Sequence, residues 1–446
     1  MKTIYLGFLF LSITQLAIAQ MYFPPKTGNE WATVAPAALG WQTDRIPDLL
    51  DFLSEKNTKA FIVLKDGKIA IEQYFGDFRP NDLWYWASAG KTVAALLVGV
   101  AQDQRLLHLD DPTSRYLGEG WTNAPLEKED LITIRHQLNM TAGLNDQLPP
   151  TAEVPDPANC LTPDCLQYLA DAGTRWAYHN APYRLLQDVV AAAARQSWQQ
   201  YTNQQLKQKI GMRTGTWFNY VFWSQPRDMA RFGLLMLNRG IWAGEAIIKD
   251  ERYFQEMISP SQALNPSYGY LWWLNGQEAF MLPQLRTVFP WQMLPSAPSD
   301  LYMGLGLNDQ KLYVYPSANI VVIRLGESAE GRLALSDFDD ALWEKLMRIF
   351  DVRTTAQTRT TRKDQRTIRV IPNPGRISIR IDAEGLPVSY VEAFNSQGQL
   401  VATWTDPLNN EIDVSRLRSG LYVMMIRSER GLERVRWLKE WGSGNN

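Results

Sequence analysis

The sequence predicts an α+β domain, an antiparallel sheet with a helical region, followed by a small all-β sandwich. Two observations carry this. Helical and strand periodicities succeed one another so that the strands come from both ends of a long first region, and the composition changes abruptly near residue 353, after which short alternating runs take over. The 446 residues are 45% hydrophobic and 21% charged, enough apolar material for a large core, and they exclude disorder, collagen and a small disulfide scaffold. Lys and Arg number 45 against 47 Asp and Glu, so no global positive field exists to hold a phosphate backbone and no nucleic acid is expected as a partner.

The chain opens with Lys2, an apolar run from Ile4, and the small-x-small end Ala17-Ile18-Ala19 before Gln20. That order is a secretory signal peptide, residues 1–19, cut after Ala19. No Cys follows to take a lipid and no second run of about 18 apolar residues exists, so a soluble product exported through the periplasm is expected. In WQTDRIPDLLDFLSEKN, Ile46, Leu49, Leu50 and Leu53 fall at i, i+3, i+4 and i+7, an amphipathic helix with Thr43 as its N-cap. FIVLKDGKIAIEQYF has β-rich runs flanking Asp66-Gly67, the dipeptide of a tight hairpin turn. From Ser88, ASAGKTVAALLVGVAQDQ reads as a helix apolar nearly all round and therefore buried. A helical middle follows to about Arg239; YGYLWWLN, KLYVYP and NIVVIRLG are then strand-like, and DFDDALWEKLMRIF is a closing helix. These elements make residues 20–352 one domain. Residues 353–368 form a basic linker open to trypsin-like cleavage. Residues 369–446, with RISIRI, VSYVEAF and LYVMMIR and turns at Gln397-Gly398 and Ser419-Gly420, read as the sandwich. Residues 351–446 hold 15 basic and 11 acidic residues, so the tail is +4 and the rest −6.

Only Cys160 and Cys165 occur, and in an exported chain they predict a local disulfide. So short a loop contributes only about 2 kcal/mol by chain entropy. His108, His136 and His179 lie in unrelated contexts, so no metal and no cofactor are expected.

Ser88 and Lys91 stand at i and i+3 where the buried helix begins, so hydroxyl and amine project from one face. A desolvated lysine can lose its proton and activate the neighbouring hydroxyl as a nucleophile, and unpaired N–H groups at the helix start favour developing negative charge. About ninety residues on, Tyr178 and Asn180 are two apart. If extended, that segment points both to one side and His179 away. Tyr can shuttle a proton and Asn can orient the amine and a substrate carbonyl. The similar pair Tyr201 and Asn203 follows a helical run and is set aside.

Ser88-Ala89-Gly90-Lys91 after a hairpin, ITIRHQLNMTAGL, Tyr178-His179-Asn180, SQPRDMARFGLLMLNRG and GLNDQKLYVYPSANIVVIRLG together resemble the serine β-lactamase and penicillin-binding protein superfamily. Within it, the chain looks like the class C branch, which includes esterases and 6-aminohexanoate-dimer hydrolases. The resemblance covers roughly residues 41–350 and implies an acyl-enzyme on Ser88, Lys91 as base, Tyr178 as proton carrier, and Asn180 holding Lys91 and the substrate. It implies an oxyanion hole from the backbone N–H of Ser88 and of a late-strand residue. Members carry K-T-G or H-x-G there; the matching triplet is Leu307-Asn308-Asp309, which makes Gln310 the second donor. Leu307 replaces the cation that binds a substrate carboxylate, which argues against β-lactams and D-Ala-D-Ala peptides and for an uncharged ester or amide. A true β-lactamase or D-Ala-D-Ala peptidase, or a catalytically silent surface binding protein, is the alternative. Trp84, Tyr85, Trp86, Trp272 and Trp273 could line an apolar acyl pocket or pack in the core.

The tail segments IPNPGRISIRI, FNSQGQLVATW, IDVSRLRSGLYVMMI and RVRWLK resemble the C-terminal sorting domain of the type IX secretion system. That resemblance implies the type IX machinery as partner, a secreted or cell-surface location, and removal of the tail.

Overall fold

The computed structural model describes residues 21–283, 288–329, 337–350, 368–372, 375–383, 385–395, 400–418, 420–428 and 431–439. The expected signal peptide, the linker apart from Ile368, Gln397-Gly398 and Ser419 lie outside the described residues. The chain divides into two compact units, Met1–Phe280 with Pro290–Val352, and Met281–Phe289 with Arg353–Asn446.

In the first unit, helix α1 (Ile46–Glu55) buries Leu49 and Leu53, as its periodicity requires. Thr43 does not cap it. Residues Thr43–Arg45 form a 3-10 turn that leads into the helix, so the N-cap position falls on Arg45, which makes no side-chain cap. Strands β1 (Thr58–Lys65) and β2 (Lys68–Tyr74) form the expected hairpin. Asp66 (φ 50°) and Gly67 (φ 81°) are both left-handed, the backbone a two-residue turn needs for its twist to match the strands. A Cβ on Gly67 would also lie 1.8 Å from the Tyr22 carbonyl oxygen. Helix α2 (Lys91–Asp103) is buried continuously from Lys91 to Ala101. Helices α3 (Asn180–Ala194) and α4 (Pro226–Leu237) follow, then β3 (Trp273–Leu274), β4 (Tyr302–Gly306), β5 (Gln310–Tyr315), β6 (Ile320–Gly326) and α5 (Asp337–Phe350).

The sheet runs β2-β1-β6-β5-β4-β3, every neighbour antiparallel, with Val63 opposite Val322 where the two ends of the region meet. Of the run YGYLWWLN only β3 is strand; Leu271, at φ 60°, turns the chain just before it. Helix α4 lies close on the sheet at Gly233, where a Cβ would come within 2.5 Å of Val321 Cγ1. Among the described residues no helix is long and apolar enough to cross a membrane.

The second unit contains β7 (Arg369–Ile371), β8 (Ser378–Asp382), β9 (Val388–Asn395), β10 (Leu400–Thr405), β11 (Glu411–Asp413), β12 (Gly420–Ser428) and β13 (Gly431–Lys439). They form two sheets, β7-β8-β11 and β10-β9-β12-β13. Along β8 the exposed Ser378 and Arg380 alternate with the buried Ile379 and Ile381, which share a core with Val391, Ile412, Met424, Ile426 and Trp437. This is the expected all-β tail.

Candidate active site

The approach to Ser88 is pinned before the helix begins. Trp84 and Tyr85 pair as a short strand with Ser224 and Trp223. Trp86 then donates its backbone N–H to Phe222 O and its Nε1 to Ser224 Oγ, both at 2.8 Å. Ala87 sits at φ 47°, a left-handed conformation costly for a residue with a Cβ, and turns the chain from strand into the Ala87–Gly90 turn that opens α2. Among the described residues no hydrogen bond takes the Ser88 N–H, which leaves that first-turn donor available to a developing oxyanion.

Lys91 Nζ and Ser88 Oγ share a hydrogen bond of 2.8 Å, the only one its amine makes among the described residues. The amine is buried at 2% exposure, over the rings of Tyr183 at 4.1 Å and Tyr178 at 4.7 Å, with no carboxylate beside it. Burial, and secondarily the positive charge of Arg184, hold its pKa well below the usual lysine range. Burial raises the Tyr178 pKa, against a smaller lowering by the Ser88 hydroxyl, so Tyr178 stays protonated at neutral pH. Ser88, Lys91 and Tyr178 are therefore brought together as expected. Asn180 is only partly so. His179 is the extended N-cap residue of α3 and Asn180 its first helical residue, yet Asn180 Oδ1 is buried without a hydrogen-bond partner and does not hold Lys91.

The aromatic expectations divide. Trp273 stacks on Tyr178 (5.7 Å, 20°), and Tyr268 stands edge-on to both rings, at 6.1 and 4.9 Å. Trp86 and Trp272 do not line the site. Both are fully buried and each packs against Phe232, and Trp272 stands edge-on to Tyr302 as well. Trp84 is half-buried, edge-on to Phe78 and under Lys59, with its Nε1 bonded to Gly326 O. Sequence reasoning missed Tyr183, Tyr268, Trp176 and Arg184. The available signal was spacing: Tyr183 and Arg184 follow Asn180 at i+3 and i+4, hence on its face of α3.

The third motif is also rearranged. The strand against the Ser88 turn is β4: a Cβ on Gly304 would lie 3.4 Å from Ala89 O, and one on Gly306 only 2.4 Å from Trp86 O. β3 pairs with β4 only at Tyr302 and Met303, so the edge from Gly304 onward is open toward the turn. Gln310 stands one strand further in from the Ser88 turn than β4, fully buried, its Nε2 donating to the carbonyls of Leu307, Asn308 and Gly326. Leu307 is 46% exposed at the start of a tight turn in which Asn308 (φ 58°) and Asp309 (φ 59°) are left-handed. Asn308 Nδ2 ties this turn to Tyr85 OH at 2.8 Å. Lys311 is no substitute cation: it is fully buried and paired with Asp339 at 2.7 Å and Asp309 at 3.1 Å. The Cys160–Cys165 disulfide is formed. Among the described residues no group of three or more His, Cys, Asp or Glu could hold a metal ion.

Comparison with known proteins agrees with this layout. A 6-aminohexanoate-dimer hydrolase of Paenarthrobacter ureafaciens is 22% identical over 321 residues, 63% of this chain and 75% of that protein. A Bacillus anthracis protein provisionally named a 6-aminohexanoate-dimer hydrolase superposes with a TM-score of 0.56 at 16% identity, covering 74% of this chain and 89% of the other. The Yersinia pestis β-lactamase/D-alanine carboxypeptidase gives 0.52 at 16%, covering 70% and 99%. Residues 369–439 match the secretion system C-terminal sorting domain, and residues 55–339, well over half of the chain, match the beta-lactamase family model. The chain belongs to the beta-lactamase family and carries a type IX sorting domain at its C-terminal end.

Proposed function

We propose that this protein is a secreted serine hydrolase that cleaves an ester or amide bond through an acyl-enzyme on Ser88. The observation that carries the reading is the 2.8 Å hydrogen bond between Ser88 and a buried lysine without a counter-ion. Neutral Lys91 takes the Ser88 proton as Oγ attacks the carbonyl carbon, and the oxyanion is received by the Ser88 N–H and an N–H of the β4 edge. Tyr178, kept protonated by burial, gives its proton to the leaving oxygen or nitrogen as that bond breaks. The proton on Lys91 restores Tyr178. In the second half a water gives a proton to the same Lys91–Tyr178 pair and attacks the acyl carbon, and the pair passes that proton to Ser88 Oγ as the acyl–oxygen bond breaks. Leu307 offers no charge at the third motif, which disfavours substrates that present a carboxylate there, β-lactams and D-Ala-D-Ala peptides among them.

The test is labelling of purified protein by a fluorophosphonate, together with hydrolysis of a short p-nitrophenyl ester. Both are expected in the wild type and absent from Ser88→Ala; full esterase activity in Ser88→Ala would overturn the reading, and a wild type inert to both would favour a binding protein. For secretion, supported by the sorting domain and the leader, mass spectrometry of the extracellular product should find an N-terminus at Gln20 and a C-terminus within residues 353–368. A periplasmic form extending to Asn446 would contradict it.

A further inference from the structure

An oxyanion hole needs its two donors at a fixed spacing, and here they come from separate segments: the turn Ala87–Gly90 that carries Ser88, and β4. Backbone packing brings the two together. The Trp86 carbonyl lies against Gly306 and the Ala89 carbonyl against Gly304, contacts that exist because neither position carries a Cβ. Such contacts limit how near the segments come, not how far apart they drift. β3 does not clamp this stretch, since it pairs with β4 only at Tyr302 and Met303. The two sides are tied instead by a hydrogen bond from Asn308 Nδ2 to Tyr85 OH, 2.8 Å, across 223 residues of sequence. Both ends are held. Tyr85 pairs with Trp223 along its short strand, and its ring touches those of Trp84 at 5.3 Å and Trp223 at 5.5 Å. Asn308, in the turn Leu307–Asp309 directly after β4, has φ 58°, which Asn tolerates better than most residues, and its carbonyl accepts from Gln310 Nε2 at 2.8 Å and Arg324 Nη1 at 3.1 Å. The bond that Trp84 Nε1 makes to the main sheet is longer, 3.3 Å, and goes to Gly326 O on β6, two strands away from β4.

We infer that Tyr85 is a positioning residue: through Asn308 it holds the turn after β4 against the Ser88 turn, and so sets the spacing of the two N–H groups that receive the oxyanion. This rests on the reading of Ser88 as nucleophile. The role belongs to the Tyr85 hydroxyl and not to its ring, whose contacts with Trp84 and Trp223 a phenylalanine would make as well. The hole is loaded only when the carbonyl oxygen becomes an oxyanion. A hole held at the wrong width therefore weakens transition-state binding and leaves substrate binding nearly untouched.

The experiment measures kcat and KM of the purified protein on a short p-nitrophenyl ester. Tyr85→Phe removes the hydroxyl and keeps the ring; Asn308→Gly removes the amide and keeps the left-handed backbone. Each should lower kcat about ten- to a hundredfold with KM within about threefold of wild type, the loss of a displaced donor and not of a deleted one. The double variant should be no slower than the slower single variant, because both changes break one bond. Additive losses, a loss confined to KM, or a wild-type kcat in either single variant would overturn the inference. If one single variant does not fold, the other decides. Collapse of the thermal midpoint in both would also overturn it, since the bond would then hold the fold and not the reaction. If the single variants keep the wild-type kcat while Ser88→Ala is inert, only this inference falls. If the wild type shows no Ser88-dependent hydrolysis, the hydrolase reading falls and takes it along.

Discussion

Lys91 and Lys311 are both out of solvent, at 2% and 0% exposure, yet the surroundings of Lys91 contain no carboxylate and those of Lys311 hold two. At the start of α2, the amine touches Ser88 Oγ and two aromatic faces, and burial without a counter-ion penalises the ammonium form. At the start of β5, Lys311 joins Asp309 to Asp339, whose other oxygen accepts from Tyr313 OH at 2.6 Å. Arg324 donates to the carbonyls of Asn308 and Asp309, and Ala329 N–H to Asp309 Oδ2. The same side chain is thus disfavoured as an ammonium in one place and an ion-paired rivet in the other. What differs is the company: a buried charge with partners holds two consecutive left-handed residues in a turn, whereas one without partners becomes reactive.

The largest effect that sharpens this contrast is on rate. Lys91→Met should lower kcat/KM for a p-nitrophenyl ester by several powers of ten, about as much as Ser88→Ala, because the two act as a unit. Its thermal midpoint should hold or rise, since an unpartnered buried amine is exchanged for an apolar group. Near-normal ester hydrolysis by Lys91→Met would break the comparison.

Next in size, Lys311→Met should cost about 3–5 kcal/mol in denaturant unfolding, because two buried carboxylates lose their partner. The remaining folded enzyme should lose less activity than Lys91→Met. If Lys311→Met were as stable as wild type, the rivet would be no rivet.

A smaller effect is expected in the pH profile. Protonated Lys91 cannot accept the Ser88 proton, so kcat/KM for a neutral ester should fall as pH drops through its lowered pKa, with the slope of one proton. Arg184 disfavours the ammonium, so Arg184→Gln should raise that pKa and move the acid limb to higher pH. An unmoved limb would show that burial alone sets the base.

The smallest change should come from Leu307→Lys. At 46% exposure the new ammonium stays largely solvated, so its gain in nitrocefin turnover relative to ester turnover should remain below about tenfold, less than the motif alone suggests. Rapid nitrocefin hydrolysis by the wild type would mean that a cation other than Leu307's replacement already serves there.

The sheet was legible because its strands carry local signals: Asp66-Gly67 has the backbone freedom its hairpin needs, and the α2 run is apolar on every side and is buried on every side. Ser88 and Lys91 were legible because i and i+3 share a helix face, whatever surrounds them. Register at the third motif was not, since Leu307-Asn308-Asp309 looks like strand sequence until Arg324 and Lys311, from elsewhere in the sheet, fix it as a turn.

By itself the sequence determined the order of elements, the pairing of Ser88 with Lys91, the disulfide and the presence of a sorting tail, all properties of neighbours along the chain. Tertiary structure alone decided which tryptophans face the site, that Gln310 serves the sheet interior, that Asn180 Oδ1 is left unpaired, and that the charge of Arg184 weighs against the Lys91 ammonium. The physical reason is that electrostatic character depends on which charges and how much water lie within a few ångströms, and those neighbours come from segments far apart in sequence.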